Sequence, residues 1–318
     1  MPINQSPLLE KSVASQPSKK NVSVSSFQLS APRYSFSDVI LREETLAEIQ
    51  NALALYRFHD LIFDSWGFSA VLHRPKNLSI NLYGDSGTGK TITTHAIAHQ
   101  LQLPLLMVNY AEIESKYVGE TAKNLASLFD FASTRTAVLV FDEADALLSK
   151  RVTDMRSAAD VSVNQTRSVL LRLLDEYEGI ILFTTNFIQN FDPAFHRRIM
   201  YHIRFNLPDR PLREKLWAHY LVPKFPLAED RKELIAKLAE REGLSGSDIA
   251  TAVLRTAVHT ALAPHPAASY NDFMEQLDKI QTSKDAMHNS EWEISSRKVS
   301  ESYVKEKLGK DVVNHGNS

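Results

Sequence analysis

The stretch from Ile80 to Ile97 leaves the chain few ways to fold. A short, mostly apolar run, Ile80 to Tyr83, leads into Gly84-Asp85-Ser86-Gly87-Thr88-Gly89-Lys90-Thr91, and Ile92, Ala96 and Ile97 follow at helical spacing. This is a strand, a GxxxxGK[ST] loop and a helix, in the order such a loop requires. The glycines let the backbone curl so that its N–H groups face the phosphates of a nucleotide, and the helix N-terminus adds partial positive charge. Lys90 can reach the β and γ phosphates, and Thr91 offers a hydroxyl to Mg²⁺. An accidental glycine-rich turn is the bland alternative, but three of the chain's 10 glycines fall within this loop. The chain is expected to bind ATP with Mg²⁺.

A second motif supports the first. Val138-Leu139-Val140-Phe141 reads as a buried strand, and it ends in Asp142-Glu143, where adjacent carboxylates at a strand end can face the phosphate loop. Asp142 is expected to hold Mg²⁺ through water, and Glu143 to polarise the attacking water. Taken alone, the pair could be a solvated acidic turn. The letters Asp142-Glu143-Ala144-Asp145 also invite an RNA-helicase reading. One nucleotide-binding core of modest size and no basic surplus count against it.

Around these motifs, apolar runs alternate with helical patterns: Ile80 to Tyr83, Leu105 to Val108, Val138 to Phe141, Ile180 to Thr184 and Tyr201 to Phe205. The alternation predicts an α/β fold, a mainly parallel sheet with helices on both faces. Leu46, Ile49, Leu53 and Tyr56 predict an amphipathic helix ahead of the first strand. Residues 1–33, rich in serine, lysine and proline, are expected to be a disordered tail, and residues 34–208 the large domain. Beyond Asp209 the strands stop. Helical patterns over Pro211 to Tyr220, Glu229 to Glu242, Ser247 to Leu262 and Val299 to Leu308 make residues 209–318 a small all-helical domain. Ala263-Pro264-His265-Pro266 should break its helices, and Gln281 to Ser290 reads as a mobile loop.

Composition narrows the partners. Lysine plus arginine number 36 against 38 acidic residues, a formal net charge of -2, so nothing favours a phosphate backbone and nucleic acid is not the expected partner. Cysteine is absent, which removes disulfides and thiolate metal sites and suits a reducing compartment such as the cytoplasm. No apolar run approaches the roughly 20 residues that span a bilayer, so no membrane partner is expected.

Taken together, these residues resemble the AAA+ ATPases, and within them the AAA clade, over about Phe36 to Leu308. The resemblance implies a P-loop parallel sheet followed by a small helical lid. Ile181-Leu182-Phe183-Thr184-Thr185-Asn186 looks like the family's sensor-1 strand, making Asn186 the residue that helps position water at the γ phosphate. Asp192 to Arg198 resembles the segment that carries arginine fingers, with Arg197 and Arg198 as the candidates for completing a neighbouring subunit's site; a solvated basic helix end is the alternative. His196 stands where the family usually has a basic or second arginine residue, and it takes no role. Gly243-Leu244-Ser245-Gly246-Ser247-Asp248-Ile249 is similar to the clade's lid-helix start, although a tight turn and a helix cap explain the string almost as well. Ser37-Asp38-Val39-Ile40 lies where relatives contact adenine.

Lys116, Tyr117 and Val118, followed by Gly119, resemble pore loop 1 of protein-threading machines, in which an aromatic side chain wedges between those of an extended peptide. Arg151 and Arg156 fall where a second pore loop lies. The resemblance implies a homo-oligomeric ring, a hexamer in the family, that hydrolyses ATP to pull on a protein substrate, with substrate choice left to the tail, the pore or a separate adaptor. The resemblance makes microtubule-severing ATPases, extractors of mislocalised membrane proteins and HORMA-domain remodellers, bacterial ones included, the candidate relatives, and a compact AAA module with this tail suits a bacterial remodeller best. A nucleic-acid motor or loader and a nucleotide-gated scaffold with little turnover are the competing readings.

Overall fold

A computed structural model describes residues 27–72, 76–109, 120–149, 158–186, 191–262 and 267–296. Its centre is a five-stranded parallel sheet of β1 (Asn77–Gly84), β2 (Leu105–Asn109), β3 (Val138–Asp142), β4 (Gly179–Thr185) and β5 (Tyr201–Phe205), in the order β2-β3-β4-β1-β5. All five strands overlap the predicted apolar runs. The phosphate loop leaves β1, a central strand, and the acidic pair leaves β3, two strands away across β4. Parallel pairing puts all these C-terminal tips on one edge, the usual place for a ligand in an open α/β sheet.

Both faces of the sheet are covered, which is why its strands read as almost continuous apolar runs. On one face Leu78, Ile80, Leu82, Val140 and Leu182 pack with Ile49 and Leu53 of α1 (Glu43–Arg57) and Ile97 of α2 (Lys90–Leu101). On the other, Leu139, Phe141, Ile181 and Phe183 meet Leu128 of α3 (Glu120–Thr134) and Leu170 of α5 (Ala158–Glu176). The short α4 (Asp145–Leu148) and α6 (Pro193–Arg198) add Leu147 and Phe195 to this second layer. Each such buried side chain is worth about 1.5–3 kcal/mol over exposure. In α1 the buried face is Thr45, Ile49, Ala52 and Leu53, whereas Leu46, predicted to join it, is 37% exposed.

From Arg210 onward the regular elements among the described residues are helices: α7 (Arg210–Tyr220), α8 (Arg231–Leu238), α9 (Gly246–Leu262) and α10 (Tyr270–Ser296). They share a core of their own around Trp217, Leu234, Ile249 and Phe273. Among the described residues no helix is long and apolar enough to cross a membrane.

Two expectations are corrected. Order begins before Tyr34: Ser30 exchanges both backbone hydrogen bonds with Leu105, each 2.9 Å, and Phe27 packs 5.7 Å from Phe131. The cause is β2, an edge strand whose free N–H and C=O groups recruit a passing segment. The second concerns Gln281 to Ser290, expected as a mobile loop, which lies inside α10. The stretch has neither glycine nor proline, and over Gln281 to Ala286 its polarity marks a solvated helix face: Gln281 Nε2 donates to Asp285 at 2.9 Å, and Lys284 reaches Asp248. Residues 1–26, the break at Ala263 to Pro266 and the predicted helix Val299 to Leu308 lie outside the described residues.

Candidate functional site

Gly84 and Gly87 are hemmed in by their surroundings, and Gly89 is set by its backbone conformation alone. Gly84 has φ +136°, and a Cβ there would sit 2.1 Å from the carbonyl oxygen of Phe205 on β5. Gly87, at φ +74°, abuts the start of α9: a Cβ would meet Ser247 Oγ at 2.0 Å and Ser245 Oγ at 2.7 Å. Gly89, at φ +97°, is the N-cap of α2. Between them Thr88 Oγ1 donates to the Asp85 carbonyl at 2.7 Å. Lys90 is only 8% exposed, and its ammonium donates to the carbonyls of Gly84 (2.7 Å) and Asp85 (2.8 Å). Burial pushes its pKa down, and the carboxylates of Asp145, Asp85 and Asp142 oppose that shift.

The tips of β3 and β4 meet the loop through one carboxylate. Asp142 Oδ1 accepts from Thr91 Oγ1 at 3.0 Å and from Thr184 Oγ1 at 2.5 Å. Thr184 Oγ1 in turn accepts the backbone N–H of Glu143 at 2.9 Å. Glu143 has φ +53°, a left-handed conformation that costs a non-glycine residue about 1–2 kcal/mol and that clusters at functional sites. The hydrogen bond that Glu143 N–H donates to Thr184 helps hold it there. Asp145 fixes the next residue of β4's exit by accepting the Asn186 N–H at 3.0 and 3.2 Å.

These groups line a cleft of about 390 Å³. Lys90, Thr91, Asp142, Glu143 and Asn186 give it a polar end; Val39, Ile40, Leu216 and Tyr220 give it an apolar one. A nucleotide has the same two ends. The oxygen-only pair Thr91 and Asp142 suits Mg²⁺, which takes one or two protein ligands and fills its shell with water and phosphate oxygens. The helical region closes the cleft, with Ser247 N–H donating to the Gly87 carbonyl at 3.1 Å. Behind it, Asp248 Oδ2 accepts from Lys284 Nζ (2.6 Å) and from the N–H and Oγ of Ser245 (both 2.8 Å). Burial alone would raise the Asp248 pKa, but these donors outweigh it and hold the carboxyl below its ordinary range.

Arg197 and Arg198 stand apart from this cleft, on α6. Exposed Arg197 lies along its own helix, with Nε 3.4 Å from the Pro193 carbonyl, while Arg198 Nε donates to Asp175 at 2.9 Å. His196 is exposed and stacks on His202 with centroids 4.2 Å apart. Lys116, Tyr117, Val118, Arg151 and Arg156 lie outside the described residues. Sequence reasoning missed Thr184, Asp145 and Lys284. The first had a usable signal, a polar residue interrupting an apolar run at a strand tip; Lys284 had none.

Comparison with known proteins gives three findings. The model of the family described as "ATPase family associated with various cellular activities (AAA)" matches residues 80–207. The 26S proteasome regulatory subunit 4 homolog of Dictyostelium discoideum is 30% identical over 257 residues, 79% of this chain and 56% of that protein. The proteasome-activating nucleotidases of Pyrococcus furiosus and Saccharolobus solfataricus are 30% and 29% identical over 83% and 81% of this chain, and 66% and 65% of their own lengths. The chain thus spans between about half and two-thirds of the length of these relatives.

Proposed function

The chain belongs to the AAA family of ATPases, and from that premise we propose that it hydrolyses ATP with Mg²⁺, assembles into a ring of copies and uses the cycle to remodel a protein substrate. The observation that carries the reading is the junction of Thr91, Asp142, Thr184 and Glu143 at the mouth of the glycine loop. The loop N–H groups and Lys90 bind the phosphates. Thr91 and Asp142 would hold Mg²⁺, which when bound would supply charge neutralisation at the phosphates. Glu143 orients and accepts a proton from the attacking water, and Asn186 positions that water from the other side.

The arginines support ring assembly. Arg197 and Arg198 are too far round the molecule to line their own cleft, which suits a role in a neighbour's site through a head-to-tail contact. Two uncovered apolar surfaces support such a contact: Leu254, Val258 and Leu262 on α9, beside Arg255 and His259, and Leu61, Trp66 and Phe68, beside Asp64. A protein substrate is supported by the resemblance of Lys116-Tyr117-Val118 to a pore loop and by relatives whose names tie them to the proteasome.

Glu143→Gln tests the core of the reading. It should bind ATP normally, lower turnover at least about 100-fold, and hold the oligomer together long enough to size it by light scattering. Unchanged turnover would refute the assignment. ATPase activity stimulated by DNA and insensitive to Tyr117→Ala would replace the protein substrate with nucleic acid.

A further inference from the structure

On the sheet face that packs against α6, β1 carries two polar residues, Ser79 and Asn81, where its neighbours carry Leu139, Phe141, Ile181 and Phe183. They are 4% and 0% exposed. A buried polar group left without a partner costs about 1–3 kcal/mol, so both residues need an account. Ser79 has one: its Oγ donates to the Arg198 carbonyl at 3.3 Å and accepts the Met200 N–H at 3.0 Å, clipping the end of α6 to β1.

Asn81 is only half accounted for. Its Oδ1 accepts from Thr185 Oγ1 at 3.2 Å, and Nδ2 stands as a buried donor with no partner. Directly across on β5, in register, stands His202. Its Nε2 lies 3.2 Å from the His196 carbonyl. A carbonyl only accepts, so Nε2 carries the proton and Nδ1 is a bare acceptor, and Nδ1 too is buried without a partner. Burial pushes the His202 pKa down; the backbone carbonyls of His196 and Ile199 oppose this, and the charge of His196 adds to it. A donor lacking an acceptor thus neighbours an acceptor lacking a donor, on strands about 4.8 Å apart. One side-chain adjustment or one bridging water joins them.

We propose that Asn81 Nδ2–H bonds His202 Nδ1, directly or across one water, and that the two are positioning residues which tie the arginine-bearing helix α6 to β1 and to the tip of β4. The proposal rests on the reading of Arg197 and Arg198 given above. α6 has six residues and cannot hold itself in place. Its position is set by its N-cap Asp192, by the packing of Phe195 and by the two polar residues of β1. The bridge continues a path from Asn186 and Thr185 through Asn81 and His202 to the His196 carbonyl, so that a shift at the hydrolysis site moves the arginines that serve the next subunit. The ionisable groups on α6, β1 and β5 around His202 are Asp192, His196, Arg197, Tyr83, Tyr201, Arg204 and the Arg198–Asp175 pair. Protonation of His202 places a donor against the Asn81 amide and breaks the bridge.

The test uses the full chain with Asn81→Leu, His202→Leu and the double variant, alongside Arg197→Ala and Arg198→Ala. Each of the first three should lower kcat about tenfold at a KM for ATP within about twofold, and the double variant should be no worse than either single one. In ¹⁵N spectra, wild-type His202 should show the Nε2–H tautomer at neutral pH, and Asn81→Leu should shift its Nδ1 resonance. A lower melting temperature with unchanged kcat, additive losses, or an Nδ1–H tautomer in the wild type each overturn the bridge. The tautomer measurement stands even where a variant does not fold. If both arginine variants keep full turnover, the arginine reading falls and takes the bridge's role with it; if they lose turnover while Asn81→Leu does not, only the bridge falls.

Discussion

Thr184→Val is the sharpest probe of the hydrolytic site, because it removes a hydroxyl without changing shape. Thr184 is 2% exposed, so the substitution leaves the packing of β4 in place. Two interactions are lost: the 2.5 Å donation to Asp142 and the acceptance of the Glu143 N–H at 2.9 Å. The first is charge-assisted, worth about 1.5–3 kcal/mol, and the second leaves a backbone donor short of a partner. Asp142 keeps its contact with Thr91, so the phosphate loop stays tied to β3. Glu143 loses the bond that offsets its left-handed backbone, and its carboxylate is the group we propose is aimed at the attacking water. If about 1.4–2.8 kcal/mol of that loss falls on the transition state, kcat drops about 10- to 100-fold. Affinity for a slowly hydrolysed ATP analogue, which depends on the loop and Lys90, should stay within about threefold. Steady-state turnover and fluorescent-nucleotide titration measure the two separately. A Thr184→Val protein with wild-type kcat, or one that loses binding and turnover together, would refute the idea that Thr184 acts by orienting Glu143.

Gly87→Ala should weaken nucleotide binding and lower the melting temperature together, because a left-handed alanine costs about 1–2 kcal/mol and its Cβ would displace Ser247; calorimetry with and without nucleotide checks both, and a silent substitution would mean that α9 does not sit on the loop. Lys284→Met should destabilise the protein by about 1–2 kcal/mol, toward the low end for a charge-assisted bond because the lysine is half exposed. The Asp248 pKa is depressed in the folded protein, so this contribution is present in full above the unfolded carboxylate's pKa of about 3.9 and is lost as pH falls through the lower folded value. The difference in melting temperature between wild type and Lys284→Met should therefore hold from neutral pH to about pH 5 and shrink below about pH 4; a difference that grows with acid would exclude the ion pair as its source.

What could be read in the sequence was whatever local chemistry decides. Strand positions followed from apolar runs, because both sheet faces are buried, and the loop followed from glycines at Gly84 and Gly87, where a Cβ would collide with its neighbours. What could not be read was pairing over distance. Nothing local shows that Thr184 will stand 2.5 Å from a carboxylate 42 residues earlier, or that Lys284 will close on Asp248. The same blindness produced the two corrections. A polar stretch looks alike whether it is a loop or the wet face of α10, and only its partners on the neighbouring helix distinguish the two. Likewise Phe27 and Ser30 show no periodicity of their own, since their order comes from the open edge of β2.

The polar residues of β1 carry this argument one step further. Asn81 sits in a strand whose other buried face is leucine and isoleucine, and an apolar residue there would satisfy every rule of local packing. Its cost is offset only if Thr185 and His202 stand where they do, on strands that come from parts of the chain far apart in sequence. A buried residue that breaks the local pattern and is satisfied only by distant partners marks a position where the fold gives up stability to fix an orientation. In this chain the orientation so fixed is that of the helix bearing Arg197 and Arg198.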